Sequence, residues 1–368
     1  MKILILSCNT GQGHNSVANA LSEIFEANGD SCEILDALAF ISDRTARFLS
    51  WGHSYMYCHF PRLFEVGYDA AERHKIALED GSAAYRFITK GACALYEYCI
   101  KGQFDAILCT HVFSGLMLTE AKKLPGLTAL TYFVATDYTC SPGALDSSLY
   151  AYFIPDASLA PEFGSKNLIP AGIPVRQEFF SAVPKAEAKR ILGIPESAVH
   201  ILMMCGSMGC GPMEELTDLL LKRLPTDCQL SIICGTNQRL NKKLAELTAN
   251  CDHIHVHGFV DQVPLFMDSA DLYITKPGGI STTEAMIKDL PMVLVDAVAG
   301  CEDYNMQYFT ECGGAVAAKD PETIAMLCLE LIENEARRRI MSGCLSSRKT
   351  NAAQTIYSYV RKDVNQNA

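Results

Sequence analysis

The segment Asn9-Thr10-Gly11-Gln12-Gly13-His14 places an imidazole directly after two glycines. Gly11 and Gly13 permit a tight turn and a close backbone approach to a bound group. A helix beginning near Ser16 offers free N–H groups to an anion or a polarised hydroxyl. An imidazole titrating at about pH 6.5 can accept a proton there. The plainer alternative is a polar residue that opens the helix and bonds to nearby backbone. Asp137 ends the run Phe133-Val134-Ala135-Thr136-Asp137.

Four further segments suit an anionic or hydroxyl-rich ligand. Cys205-Gly206-Ser207-Met208-Gly209-Cys210-Gly211-Pro212 precedes a helix over Met213–Leu224. Its amides and the Ser207 hydroxyl form a plausible diphosphate cradle, although the segment lacks the Walker G-K-[ST]. Thr275-Lys276-Pro277-Gly278-Gly279-Ile280-Ser281-Thr282-Thr283-Glu284 is the most informative. Gly278 and Gly279 free amides for phosphate, and Glu284, expected on the first helical turn, can accept both hydroxyls of a ribose. The alternative for Glu284 is complementing the helix dipole. Gly258-Phe259-Val260-Asp261 can present backbone to a base edge. Glu302, Asp303 and Asn305, in Ala299–Asn305, suit sugar hydroxyls or a solvated helix cap.

Each of these segments follows a short apolar run, and the runs alternate with helical stretches along the chain. That is the pattern of parallel α/β sheets. The first half predicts strands at Ile3–Ser7, Ser31–Leu35, Ala106–Thr110, Ala129–Val134 and Tyr150–Ile154. The second half predicts His200–Cys205, Gln229–Cys234, His253–His257, Leu272–Thr275 and Met292–Val295. Two Rossmann-like units in tandem are expected: residues 1–172 and 199–350, joined by a Pro-bearing linker over 173–198. Ligands of such sheets sit at the strand C-termini. Residues 41–101 break the rhythm with Phe48, Trp51, Tyr55, Tyr57, Phe60, Phe64 and Tyr68 among Arg44, Arg47, Arg62 and Arg73. They read either as a helical insertion packed on its own domain or as a surface that meets lipid.

The chain of 368 residues suits two domains, with 49% hydrophobic and 20% charged residues. Its net charge of −11 and the lack of a long Lys/Arg run speak against nucleic acid as a partner. The 16 cysteines are scattered, with no C-x-x-C pair, as buried small hydrophobes in a reducing cytosol would be. The N-terminus reads as a buried strand, too short for a signal peptide. No apolar stretch reaches the ~18 residues of a membrane span, so membrane contact is expected to be peripheral, on the inner face of the cell membrane.

Taken in order, these segments resemble glycosyltransferase family 28, and within it the diacylglycerol sugar transferases. The resemblance spans nearly the whole chain. It rests on the G-x-G-H loop, on Val134-Ala135-Thr136-Asp137, and on Tyr150–Ile154 followed by Gly172-Ile173-Pro174-Val175-Arg176. The run Ile274–Gly279 with Glu284-Ala285 is the most specific. The chain departs from that family in lacking a histidine after Asp137 and in carrying Gly300-Cys301-Glu302 where G-Q-E is usual.

The resemblance implies a GT-B fold, two Rossmann-like domains facing each other across a cleft. The acceptor would bind the N-terminal domain and a UDP-sugar the C-terminal one, with a last helix near Ala352–Val360 crossing back. It implies inversion at the anomeric carbon with neither metal nor cofactor, and no D-x-D motif occurs in the chain. On this reading His14 is the base, with Asp137 orienting it or contacting the acceptor hydroxyl, or Asp137 is itself the base. The UDP-sugar site comprises Gly206, Ser207, Met208, Phe259, Val260, Lys276, Pro277, Gly278, Gly279, Ile280, Thr283, Glu284, Glu302 and Asn305, with Gly11 and Gly13 on the acceptor side. The acceptor is diacylglycerol or a related lipid. Rival readings are an N-acetylglucosaminyltransferase on a polyprenyl-diphosphate sugar, a UDP-N-acetylglucosamine 2-epimerase, and a non-catalytic UDP-sugar sensor.

Overall fold

A computed structural model describes residues 1–9, 12–42, 78–295 and 300–367. Gly11, Ala299 and the aromatic and arginine side chains singled out between Arg44 and Arg73 lie outside the described residues. The chain divides into two units. One holds Met1–Gln177, Val298–Cys301 and Thr350–Ala368; the other holds Glu178–Ala297 and Glu302–Lys349.

The first unit is built on six parallel strands: β1 (Lys2–Ser7), β2 (Ser31–Asp36), β3 (Ala106–Cys109), β4 (Leu130–Val134), β5 (Ala151–Ile154) and β6 (Leu168–Pro170). Their order is β2-β1-β3-β4-β5-β6. Ile3, Leu4, Ile5 and Leu6 are all fully buried, as a parallel strand covered on both faces requires. Helix α1 (Gln12–Ala27) turns Val17, Ala18, Leu21 and Phe25 inward, the spacing of a helix with one buried stripe. Of the predicted insertion, α2 (Ala83–Ile88) and α3 (Ala92–Gly102) are described. Tyr85, Ile88, Leu95 and Cys99 join the unit's core, while Phe87 is exposed. Helix α4 (Val112–Ala121) follows β3.

The second unit repeats the plan. Helix α5 (Lys185–Ile191) leads into β7 (His200–Met204), α6 (Met213–Arg223), β8 (Gln229–Ile233), α7 (Gln238–Leu247), β9 (Ile254–His257) and α8 (Val263–Ser269). Then come β10 (Leu272–Thr275), α9 (Gly279–Ile287), β11 (Met292–Leu294), α10 (Cys301–Glu311), β12 (Ala315–Ala317), α11 (Pro321–Glu333) and α12 (Glu335–Ser346). The strands run parallel in the order β12-β11-β10-β7-β8-β9. Helix α5 is tied to this unit by Lys185 and Lys189, both paired with Asp271 at 2.7 and 3.0 Å.

The last helix, α13 (Ala352–Asn367), belongs to the first unit. Tyr357 packs edge-on against Phe25 with ring centroids 5.3 Å apart, and the Tyr132 hydroxyl donates to Asp363 at 3.3 Å.

The ten expected strands are all present. Two were missed, β6 and β12, each three residues long and at a sheet edge.

Candidate functional site

Strand order decides where a doubly wound sheet can hold a ligand, because a crevice opens where the order reverses direction. In the first unit that point lies between β1, which leads to β2 on one side, and β3, which continues the sheet on the other. The first turn of α1, just past β1, carries His14, and the loop after β3 carries Thr110 and His111. They meet: His14 Nδ1 donates to the Thr110 carbonyl at 2.9 Å, and the Thr110 hydroxyl donates to the His14 carbonyl at 3.2 Å.

A carbonyl oxygen only accepts, so the proton of a neutral His14 sits on Nδ1 and Nε2 keeps the basic lone pair. Thr136, two residues past β4, brings its hydroxyl to 3.2 Å from the same Nδ1 and donates to the Asp137 carboxylate at 3.2 Å. His111 stands edge-on to His14, ring centroids 4.5 Å apart. Its own Nδ1 accepts from the Phe113 amide at 3.0 Å as the cap of α4, which fixes its proton on Nε2. Burial lowers the His14 pKa below the usual histidine value, opposed by the negative Asp137 and the Thr110 carbonyl.

The loop is braced from behind. Ser7 donates to Asn15 at 2.7 Å, Asn15 to Asn9 at 2.6 Å, and Asn9 to Asp36 at 3.0 Å. Gly13 and His14 already lie within α1, which begins at Gln12 and not near Ser16.

In the second unit the order reverses between β7 and β10. The glycine loop after β7 turns through Gly206 in the left-handed region at φ +69°. Gly209 sits where a Cβ would come within 2.5 Å of the Cys234 carbonyl; no other residue fits without displacing backbone. The Ser207 carbonyl accepts from the Thr236 amide at 2.9 Å, which pins the loop, Met208 included, to the turn after β8.

The Lys276 stem runs across this loop. A Cβ at Gly206 would meet Lys276 Cε at 3.8 Å, and one at Gly211 would meet Lys276 Cδ at 3.9 Å. Its Nζ lies 3.3 Å from a Glu302 carboxylate oxygen. Lys276 and Pro277 are buried, and Gly278 caps α9 with no side chain of its own in the way. Gly279 and the half-exposed Ile280 begin that helix. The Thr283 hydroxyl is turned back onto the Gly279 carbonyl at 2.5 Å.

Two placements differ from the sequence reading. Glu284 is the sixth residue of α9, in its second turn and buried, with 7% of its surface exposed. The helix starts at Gly279, so Glu284 is not a first-turn carboxylate. Glu302 and Asn305 lie one turn apart at the start of α10, not on a loop, and Asn305 is fully buried. Phe259 and Val260 follow β9, two strands from β7 and therefore ~10 Å from the glycine loop along the same sheet edge. Phe259 is 65% exposed.

Sequence reasoning did not single out Thr110 or His111, and it took Thr136 only as part of the Val134–Asp137 run that carries the resemblance. The signal common to all three is position at the ends of β3 and β4 beside a reversal in strand order. Among the described residues no three His, Cys, Asp or Glu side chains cluster in a geometry that would hold a metal ion. No described helix is long and apolar enough to cross a membrane.

Residues 215–343 match the family model described as glycosyl transferases group 1. The monogalactosyldiacylglycerol synthase of Spinacia oleracea is 30% identical over 348 residues, which is 88% of this chain and 65% of that protein. The processive diacylglycerol beta-glucosyltransferase of Bacillus pumilus is 26% identical over 94% of this chain and 90% of its own. The chain thus spans just under two thirds of the plant relative's length. Among solved structures, Acinetobacter baumannii MurG superposes with a TM-score of 0.64 at 15% identity, covering 98% of this chain and 99% of its own. The UDP-GlcNAc 2-epimerase of Neisseria meningitidis gives 0.63 at 13%, covering 98% and 100%. These likenesses show the fold, GT-B.

Proposed function

For a chain related over most of its length to the diacylglycerol sugar transferases of glycosyltransferase family 28, we propose that it transfers glucose or galactose from a UDP-sugar to diacylglycerol or a related glycolipid at a membrane surface. The observation that carries this reading is the pair of strand-order reversals: one holds a histidine with its basic nitrogen defined, the other a glycine loop crossed by a buried lysine.

On this reading the first unit supplies the base and binds the acceptor. Nε2 of His14 takes the proton of the acceptor hydroxyl as its oxygen bonds to the anomeric carbon. The bond from that carbon to UDP breaks, the electron pair leaves with the diphosphate, and the configuration inverts. The second unit binds the donor. Amides around Gly206, Ser207, Gly278 and Gly279, with Lys276, meet the diphosphate charge, a preorganised electrostatic role. Glu284 holds the ribose, Phe259 and Val260 the uracil, and Glu302 and Asn305 the hexose. No metal is needed, because loop amides, a helix N-terminus and a lysine already supply positive potential.

Incubation with labelled UDP-glucose, UDP-galactose or UDP-N-acetylglucosamine, with and without diacylglycerol vesicles, tests the reading. Labelled glycolipid from the first or second donor, undiminished by EDTA, supports it. Transfer only to a polyprenyl-diphosphate sugar, epimerisation without lipid, or UDP binding with no turnover would replace it with the corresponding alternative. Loss of activity in EDTA, restored by magnesium, would overturn the metal-free mechanism alone.

A further inference from the structure

With His14 as the proton acceptor of the proposed reaction, the groups that hold its ring set its basicity. His14 Nδ1 faces two oxygens, the Thr110 carbonyl at 2.9 Å and the Thr136 hydroxyl at 3.2 Å. Were Nδ1 bare, it would confront the Thr110 carbonyl lone pairs with no proton between them. Nδ1 therefore carries its one hydrogen, shared between the nearer Thr110 carbonyl and the Thr136 oxygen, which accepts the longer arm. The Thr136 proton is then directed at the Asp137 carboxylate, 3.2 Å away. Donors and acceptors alternate along the chain imidazole, hydroxyl, carboxylate, and Thr136 is buried, with 8% of its surface exposed.

We propose that Thr136 is a positioning residue: its hydroxyl links the Asp137 carboxylate to Nδ1 of His14, so that Asp137 holds the imidazole through the threonine. The charged and titratable groups set against His14 among the described residues are Asp137, at the end of β4, and His111, from the start of α4. His111 uses its bare Nδ1 to cap α4. The imidazolium formed when Nε2 is protonated is stabilised by the Asp137 carboxylate. No proton crosses Thr136, which keeps its own hydrogen throughout. A link of this kind fixes both the tautomer and the ring orientation, as outer-shell partners of functional histidines do elsewhere.

The test follows His14 in the free protein by NMR titration of its imidazole, and turnover against pH in parallel. Thr136→Val, which keeps shape and removes the hydroxyl, is compared with Thr136→Ser, Asp137→Asn and the Thr136→Val/Asp137→Asn pair. Expected are a downward shift of the His14 pKa and a loss of turnover of about tenfold or more in Thr136→Val. Thr136→Ser should behave as the unaltered protein. The pair should lose no more than the worse single variant, because both act on one link. If Thr136→Val does not fold, Thr136→Ala carries the same comparison. An unchanged His14 titration in Thr136→Val beside a shifted one in Asp137→Asn would overturn the proposal. So would losses that multiply in the pair. If the titrations behave as expected while His14→Ala keeps its turnover, the link stands and the assignment of the base fails.

Discussion

Lys276 Nζ and a Glu302 carboxylate oxygen lie 3.3 Å apart, and the two side chains are only 10% and 15% exposed. The lysine therefore stands between two anionic roles. Its stem lies over the glycine loop proposed to hold diphosphate, while its charge offsets a carboxylate proposed to read the sugar. Removing one member breaks a largely buried ion pair, at a cost of about 3 kcal/mol. Lys276→Met should lower the denaturant midpoint accordingly and weaken UDP binding. Adding Glu302→Gln should recover much of the stability without recovering UDP affinity. Chemical denaturation and calorimetry measure the two. Equal loss of both in the double variant would mean the pair does not set the stability of this edge.

Glu284 is a buried carboxylate in the second turn of α9. If it accepts ribose hydroxyls, Glu284→Ala discards charge-assisted hydrogen bonds of roughly 1.5–3 kcal/mol. The UDP dissociation constant should rise at least about tenfold. Unchanged affinity in a folded variant removes Glu284 from the donor site.

The His14 pKa is lowered by burial and raised by Asp137. Its neutral, proton-accepting form thus dominates above the lowered pKa, and turnover should fall only as pH drops below the usual histidine range of about 6.5. Asp137→Asn should push that acid limb lower still. His14→Ala should cost roughly 10²–10⁴ in turnover with UDP affinity nearly unchanged. A variant that keeps turnover where Asp137→Ala loses it would make Asp137 the base.

His200 is wholly buried in β7 between Ser231 and Ser269, each 2.9 Å from a ring nitrogen. The Ser269 hydroxyl donates to the Phe266 carbonyl, so it accepts from Nδ1, and Ser231 donates to Nε2. This ring is built to be neutral, and burial pushes its pKa down to about 4. The unfolded chain, with an ordinary histidine, binds this proton at a higher pH than the folded one. The contribution is present above about pH 6.5 and lost as pH falls toward 4, amounting to about 3 kcal/mol. Urea unfolding at pH 7 and pH 4.5 should show a smaller acid loss in His200→Gln than in the unaltered protein. Identical losses would exclude His200 as the acid-sensitive group.

Trp51, Tyr55 and Phe64 are large side chains in the aromatic, arginine-bearing segment, a composition suited to a lipid interface. Replacing all three by serine should weaken cosedimentation with anionic vesicles and leave UDP binding intact. An unfolded variant would instead place these residues in a core, as Tyr85 and Leu95 further along the segment already are.

How much of this was legible beforehand follows from the range of the forces involved. Strands covered on both faces must be apolar throughout, so Ile3–Leu6 and Leu272–Ile274 announce themselves as short runs. Loops that approach phosphate need glycine, so the segments around Gly206 and Gly278 are visible in the order of residues alone. The edge strands Leu168–Pro170 and Ala315–Ala317 are too short to show a period, and only pairing with a neighbour makes them strands. The partners of His14 lie 96 and 122 residues away in the chain. Nothing local in Thr110 tells it from other threonines at strand ends, and the run around Thr136 does not say that its hydroxyl faces His14. They reach His14 because the sheet places β3 beside β1 and β4 beside β3, an order set by how the helices cover the faces. The pairing of Lys276 with Glu302 has the same origin: β10 lies between β7 and β11, so the lysine after β10 has the glycine loop on one side and the start of α10 on the other. Residue types along the chain determined which chemistry was possible, and strand order determined which of those residues meet.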